Sequence, residues 1–208
     1  VPRRIQEALA GALRDGLVCL GRGSSAASLP SKPLFVASMM PCPCGNWGDP
    51  KRTCACKDDQ VERHRSRVSS RLLDRIGIFV SVDPVRLAEL SRSAPAMASA
   101  PMREDVSRAR AVQAARFARG EFETNAGAMM AEDIKDGALD DASRRIYSSA
   151  AERFGLDAGD RLHVLRIART IADLDGSETI RAPHVAEAVQ HRVLRAVLFG
   201  RAASVGGA

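Results

Sequence analysis

Four of the five cysteines lie within fifteen residues, as two Cys-x-Cys pairs, Cys42/Cys44 and Cys54/Cys56, with nine residues between the pairs. Four thiolates brought together form a closed tetrahedral set of the kind that holds a structural Zn²⁺. Gly45, Gly48 and Pro50 allow the intervening chain to turn back on itself. The spacing is shorter than the commoner arrangement, in which two to four residues separate the paired cysteines, and Pro43 stiffens the first pair. Reduced or partly oxidised thiols therefore stand beside zinc as a reading. An iron–sulfur cluster fits less well, because the spacing follows none of the usual cluster patterns. His64 is an alternative fourth ligand. Thiol catalysis is disfavoured, since a nucleophilic cysteine needs an adjacent base, and His64 falls on a predicted helix among arginines. Cys19 reads as a small buried hydrophobe.

The second group with chemical potential is cationic. From Lys51 to Arg75 there are eight Lys/Arg against four Asp/Glu, which makes either a solvated basic face or a surface for phosphates. Arg71 and Arg75 are four residues apart, one helical turn, with Asp74 beside the second. An arginine at the edge of a domain can stabilise phosphoryl charge in a neighbouring subunit. The other histidines, His163, His184 and His191, read as surface or helix-packing residues. Trp47, within the cysteine segment, reads as packing over that loop.

These residues need elements to place them. Residues 3–14 carry Ile5, Leu9, Ala12 and Leu13 on one helical face, with Gly16 as the stop. "LVCL" (17–20), "LFVAS" (34–38) and "GIFVSV" (77–82) read as short strands, and "GRGSSAASLPSKP" as a loop. The cysteine segment is a loop. A helix capped by Asp58 or Asp59 runs through "QVERHRSRV", followed by a short one over "SSRLLDRI". The Ala/Pro/Ser-rich stretch 91–102 reads as a linker. Beyond it, helices are predicted over 103–119, over 139–154 stopped by Gly155, over 158–174, and from Pro183 through Val185, Val189, Val193 and Val197. The expected organisation is thus α/β in residues 1–90, a linker at 91–102, a helical bundle over 103–200 and a frayed tail over 201–208.

Composition agrees with a helix-rich fold. The chain is 45% hydrophobic, enough for a core, but only 4% aromatic, which disfavours a large sheet. The formal net charge of +6 permits a nucleic-acid partner without requiring one. No apolar run is long enough to span a membrane. The clustering of cysteines differs from that of a secreted disulfide scaffold, so a cytoplasmic location is expected.

The runs "FVASMMPCPCGNWGDPKRTCAC", "RHRSRVSSRLLDRIGIFVSV" and "HVLRIARTIADLDGSETIRAPHVAEAVQHR" resemble the magnesium-chelatase-like AAA+ ATPases of the ComM type, in the family's order and over most of the chain. The likeness is weakest at 83–102 and 121–136. It implies the back half of an AAA+ core followed by its helical lid, in a hexameric, ATP- and Mg²⁺-dependent DNA motor linked to branch migration and competence. In that frame "LFVAS" is the sensor-1 strand, Arg75 the arginine finger acting in trans, and Arg71, where the family usually has proline, a supporting residue. Three departures follow. No G-x-x-x-x-G-K-[ST] occurs in the 208 residues, and no apolar strand ends in paired acids, so Walker A and Walker B are not found. Met40 stands where the family has the sensor-1 asparagine, and a thioether donates no hydrogen bond. Gly159 falls at the sensor-2 arginine, with Arg161 two residues on as a substitute if the helix start shifts. The resulting reading is a partial or degenerate family member, inactive alone, which would need a partner supplying the Walker motifs. The alternatives are a non-catalytic nucleic-acid-binding module with a structural four-cysteine zinc loop, and a non-functional remnant.

Overall fold

A computed structural model describes residues 1–21, 27–83, 85, 98–118, 123–127 and 139–199. It forms two compact units, one built on Val1–Ile76 and one on Gly77–Val197. Expectations for residues 91–97, 119, 200 and the tail lie outside the described residues.

In the first unit, α1 (Arg3–Asp15) ends where Gly16 turns left-handed at φ 64° and returns its N–H to the Ala12 carbonyl at 3.0 Å. A residue with a Cβ is strained there, which is why the helix stops at a glycine. β1 (Leu17–Leu20) follows and pairs antiparallel with β2 (Ala27–Pro30), Leu17 opposite Pro30 and Leu20 opposite Ala27. The second strand lies inside the predicted loop, whose Gly and Ser content hides it. Cys19 is exposed on this hairpin, its sulfur 3.4 Å from Ser28 Oγ, so it is not the buried hydrophobe expected. The two other predicted strands do not form in the described residues. Residues 31–40 and 77–83 carry neither helix nor ladder, because a strand is defined by a partner for its N–H and C=O groups. Leu34 is 93% exposed and Val36 81%. The predicted apolar stripe of α1 is only partly covered: Ile5 is exposed, Leu9, Ala12 and Leu13 are half-buried, and the buried positions are Gln6 and Ala10.

After the cysteine loop comes α2 (Asp58–Arg65). Its cap lies one residue before the acids expected in that role: Lys57 is the N-cap, and its N–H donates to Gln60 Oε1 at 3.0 Å. Asp58 and Asp59 occupy the first turn, where they favour the helix dipole. The one-turn α3 (Ser70–Leu73) buries Leu72 and Leu73 and packs on α1.

The second unit is helical. Its first helix, α4 (Ser99–Arg116), begins within the predicted linker. Pro101 is tolerated because it occupies the first turn, where its missing N–H costs nothing. α5 (Asp141–Phe154) is capped by Asp140, which accepts from Ser143 N at 2.6 Å, and is stopped by Gly155 at φ 62°. α6 (Ala158–Leu174) matches its predicted span and opens on a reciprocal box, Asp157 and Asp160 each accepting the other's N–H. α7 (Ala182–Phe199) starts with His184 Nδ1 accepting the Arg181 N–H at 3.0 Å. The core is aliphatic, with Val164, Leu165, Ala168, Ile180, Val185 and Ala188 at its centre. Among the described residues no helix is long and apolar enough to cross a membrane.

Candidate metal centre and finger helix

The cysteine segment has neither helix nor strand, so short turns give it shape. Gly45 donates its N–H to the Cys42 carbonyl at 3.1 Å, and Asp49 to that of Asn46 at 3.1 Å. Gly45 sits at φ 82°, and a Cβ there would also collide with the Met40 methyl. The turns bring the sulfurs of Cys42, Cys44, Cys54 and Cys56 within 4.8 Å of one another. Cys42–Cys44 is 3.4 Å, Cys44–Cys54 3.6 Å and Cys42–Cys54 3.7 Å. Zn–S bonds of about 2.3 Å in a tetrahedron separate sulfurs by about 3.8 Å. The set is therefore close to a metal-binding geometry as it stands.

Its electrostatics fit a cation as well. The backbone N–H groups of Asn46 and Ala55 hydrogen-bond the Cys44 sulfur, with the Cys42 thiol adding to them, and draw Cys44 down to about 6. At Cys56 the N–H of Cys44 pulls the same way, but burial and the neighbouring Cys44 and Cys42 outweigh it and push the thiol up to about 12. Cys54, held by the Cys56 N–H, is raised overall by burial and the same two neighbours. One thiolate forms readily, and the next are opposed by crowding and charge. A divalent cation among the sulfurs removes that opposition. Cys42 is fully buried and Cys44 exposed. His64 takes no part, since its Nε2 pairs with the Met40 carbonyl at 3.0 Å; the four thiols are complete without it.

The loop is joined to α2 by Arg65, whose guanidinium lies 3.8 Å from the Trp47 ring centroid. Trp47 is half-buried, with that arginine stacked on its ring. Downstream, α3 is held by α1. The buried Gln6 amide accepts the Ser69 N–H at 2.7 Å and donates to the carbonyls of Arg67 and Val1, both at 2.9 Å. Glu7 accepts from Ser69 Oγ at 2.6 Å and from Arg71 at 3.3 Å. Those bonds, the Ser69 hydroxyl first, keep the Glu7 carboxyl below its ordinary range. Arg71 is thus tied to α1. Arg75 is not on the same helical turn as expected, because α3 closes at Asp74. It follows in a turn, its N–H to the Leu72 carbonyl at 3.0 Å. Arg75 is exposed, and after the hydrogen bond and charge of Arg14 its own charge helps to lower the Asp15 carboxyl.

Nothing in the spacing of the sequence marks Gln6, Glu7, Ser69 or Arg65. Gln6 is a polar residue at a buried helical position, and only the tertiary contact reveals its use. In the second unit, Gly159 is exposed in the first turn of α6, and Arg161 lies 5.5 Å from the Tyr147 ring.

The segments that carry the loop, α3 and the bundle all have relatives. Residues 1–90 match the family described as magnesium chelatase, subunit ChlI, and residues 96–192 match magnesium chelatase, subunit ChlI C-terminal. The chain belongs to the magnesium-chelatase-like family. It is similar to the competence protein ComM of Haemophilus influenzae, at 29% identity over 92% of this chain and 37% of the relative. It is equally similar to the uncharacterized protein YifB of Escherichia coli, at 29% identity over 95% of this chain and 38% of the relative. The chain therefore spans well under half the length of these relatives.

Proposed function

We propose that this chain is the finger-and-lid portion of an AAA+ ATPase of the ComM type, completed by a segment or subunit that supplies the Walker motifs. The observation that carries this reading is Arg75. It is an exposed cation two residues beyond a buried Leu72–Leu73 anchor, next to a helix start held by Gln6 and Glu7, and its charge reaches Asp15 only through space, as one of the influences that lower that carboxyl. A rigid base with an available guanidinium suits a group that meets phosphoryl charge on another subunit. The uncovered apolar run Leu34–Met40 and the exposed Ile5 on α1 support the same reading, because both ask for more protein than these residues provide. The cysteine loop is a structural zinc site in this reading, bracing the connection between that run and the finger helix.

Residues 1–208 alone are expected not to hydrolyse ATP. Joined to a polypeptide bearing Walker A and Walker B, the assembly should turn ATP over with Mg²⁺. Arg75→Ala should then lower that turnover by about 10³- to 10⁵-fold, with helix content by circular dichroism unchanged. Equal turnover in the variant assembly removes Arg75 from the reaction.

A further inference from the structure

Arg65 is the last residue of α2 and reaches back over the cysteine loop. Three features of its side chain call for an explanation. Its face is stacked 3.8 Å from the Trp47 centroid. Its Nε donates to the Pro41 carbonyl at 3.2 Å, next to Cys42. Its Nη2 is buried without a hydrogen-bond partner among the described residues. Burying a guanidinium nitrogen with no acceptor costs free energy, so a well-built site has a use for it. Burial depresses the Arg65 pKa, and negative charge gathered at the Cys42 and Cys54 sulfurs would act against that cost.

The chemistry of the cysteine site supplies the need. Four thiolates around Zn²⁺ leave a net charge of about −2. Cys42 is fully buried and cannot share that charge with water. Groups just outside the ligands then decide how well the charge is borne. The N–H groups of Asn46, Ala55, Cys56 and Cys44 bond three of the sulfurs, but they are neutral dipoles. A guanidinium brings a full charge and unused N–H donors, and an indole face holds it in place.

We propose that Arg65 is the counter-cation of the cysteine metal site, so that metal affinity depends on residue 65 as well as on the four cysteines. Trp47 fixes the guanidinium, and the Nη2 hydrogens serve the thiolates once a metal gathers their charge. This rests on the metal reading given above, and the two can fail separately.

The test is metal binding by the full chain, with Zn²⁺ in competition with a chromophoric chelator and Co²⁺ as a spectroscopic probe. Trp47, the single tryptophan, reports the loop by fluorescence. Wild type should bind one ion with a tetrathiolate Co²⁺ spectrum. Arg65→Ala and Arg65→Gln should bind about 10- to 100-fold more weakly, with the same Co²⁺ spectral shape. Arg65→Lys should recover most of the loss. Gln offers a flat, neutral group over the indole, so it separates stacking from charge if Ala disturbs the loop. No uptake of either ion by wild type would remove the metal reading itself. Uptake by wild type with equal affinity in all variants would leave the metal site standing and overturn the role of Arg65. Equal affinities in the Gln and Lys variants would overturn the charge argument.

Discussion

Gln6 illustrates what one side chain can hold together. Its amide bonds the Ser69 N–H, the Arg67 carbonyl and the Val1 carbonyl, while the side chain is almost fully buried. Gln6→Ala would strand the Ser69 N–H, itself fully buried, and expose no new surface to rescue it. A buried donor left unsatisfied costs about 1–3 kcal/mol. Denaturant unfolding should show a loss of that size, and Gln6→Glu should not restore stability fully, because a carboxylate cannot donate to the two carbonyls. Unchanged stability in Gln6→Ala would mean that water replaces the amide. The cysteines are legible in the sequence because their residue type alone states their chemistry. Gln6 is not, because a glutamine on a helix is ordinary until its neighbours across the fold are known. Met40 lies between these cases. Its carbonyl serves His64 and its methyl approaches Gly45, so beyond the sensor-1 role expected for its position it is part of how the loop is shaped.

Among the elements, α6 is the most legible, because its caps and its apolar spacing agree on the same span. What the pattern does not show is that the helix carries a buried carboxylate near each end. Asp173 accepts from Arg116, Asn125 and Arg169, at 2.5 to 3.0 Å. Asp160, at the other end, pairs with Arg192 and Arg195 of α7. Burial alone would raise the Asp173 pKa, but the bonds from Arg116 and Asn125 and the charges of Arg169 and Arg116 carry it below the ordinary carboxylate range. Asp160 is lowered in the same way, against its own burial, by Arg192 first. A carboxylate with a depressed folded pKa stabilises the fold above its unfolded pKa of about 4. That contribution disappears as pH falls through the lower, folded value. Acid titration of stability should therefore show a loss below about pH 4. Asp173→Asn should remove part of that slope and cost about 3–5 kcal/mol at neutral pH, since it leaves two arginines facing each other without their shared anion. An unaltered acid slope in the variant would place the proton uptake elsewhere. By contrast, the start of α4 is hidden by its composition. An Ala/Pro/Ser-rich stretch looks like a linker, yet Ser99–Met102 are helical because proline is harmless in a first turn.

At the scale of the whole chain, the strands are the least legible elements, and the reason is physical. "LFVAS" has the composition of a buried strand, but pairing depends on a neighbour the run cannot specify by itself. In the described structure Leu34, Val36, Met39 and Met40 are exposed apolar side chains on a segment without helix or ladder. In the second unit Ile78, Val80 and Val82 are exposed as well. Unpaired, exposed apolar backbone of this kind templates association. Residues 1–208 in isolation should accordingly bind a hydrophobic dye and self-associate with rising concentration, as followed by light scattering. Co-expression with a Walker-bearing AAA+ segment should suppress both, because its strands would then pair with residues 34–38 and cover their side chains. Charged substitutions separate this from general stickiness. Val36→Lys should reduce self-association of the chain alone and also block rescue by the segment, whereas a lysine at the exposed Val1 should do neither. Dye binding and scattering that remain unchanged on adding the segment would mean that the run has some other partner, and with it that the chain completes a different assembly.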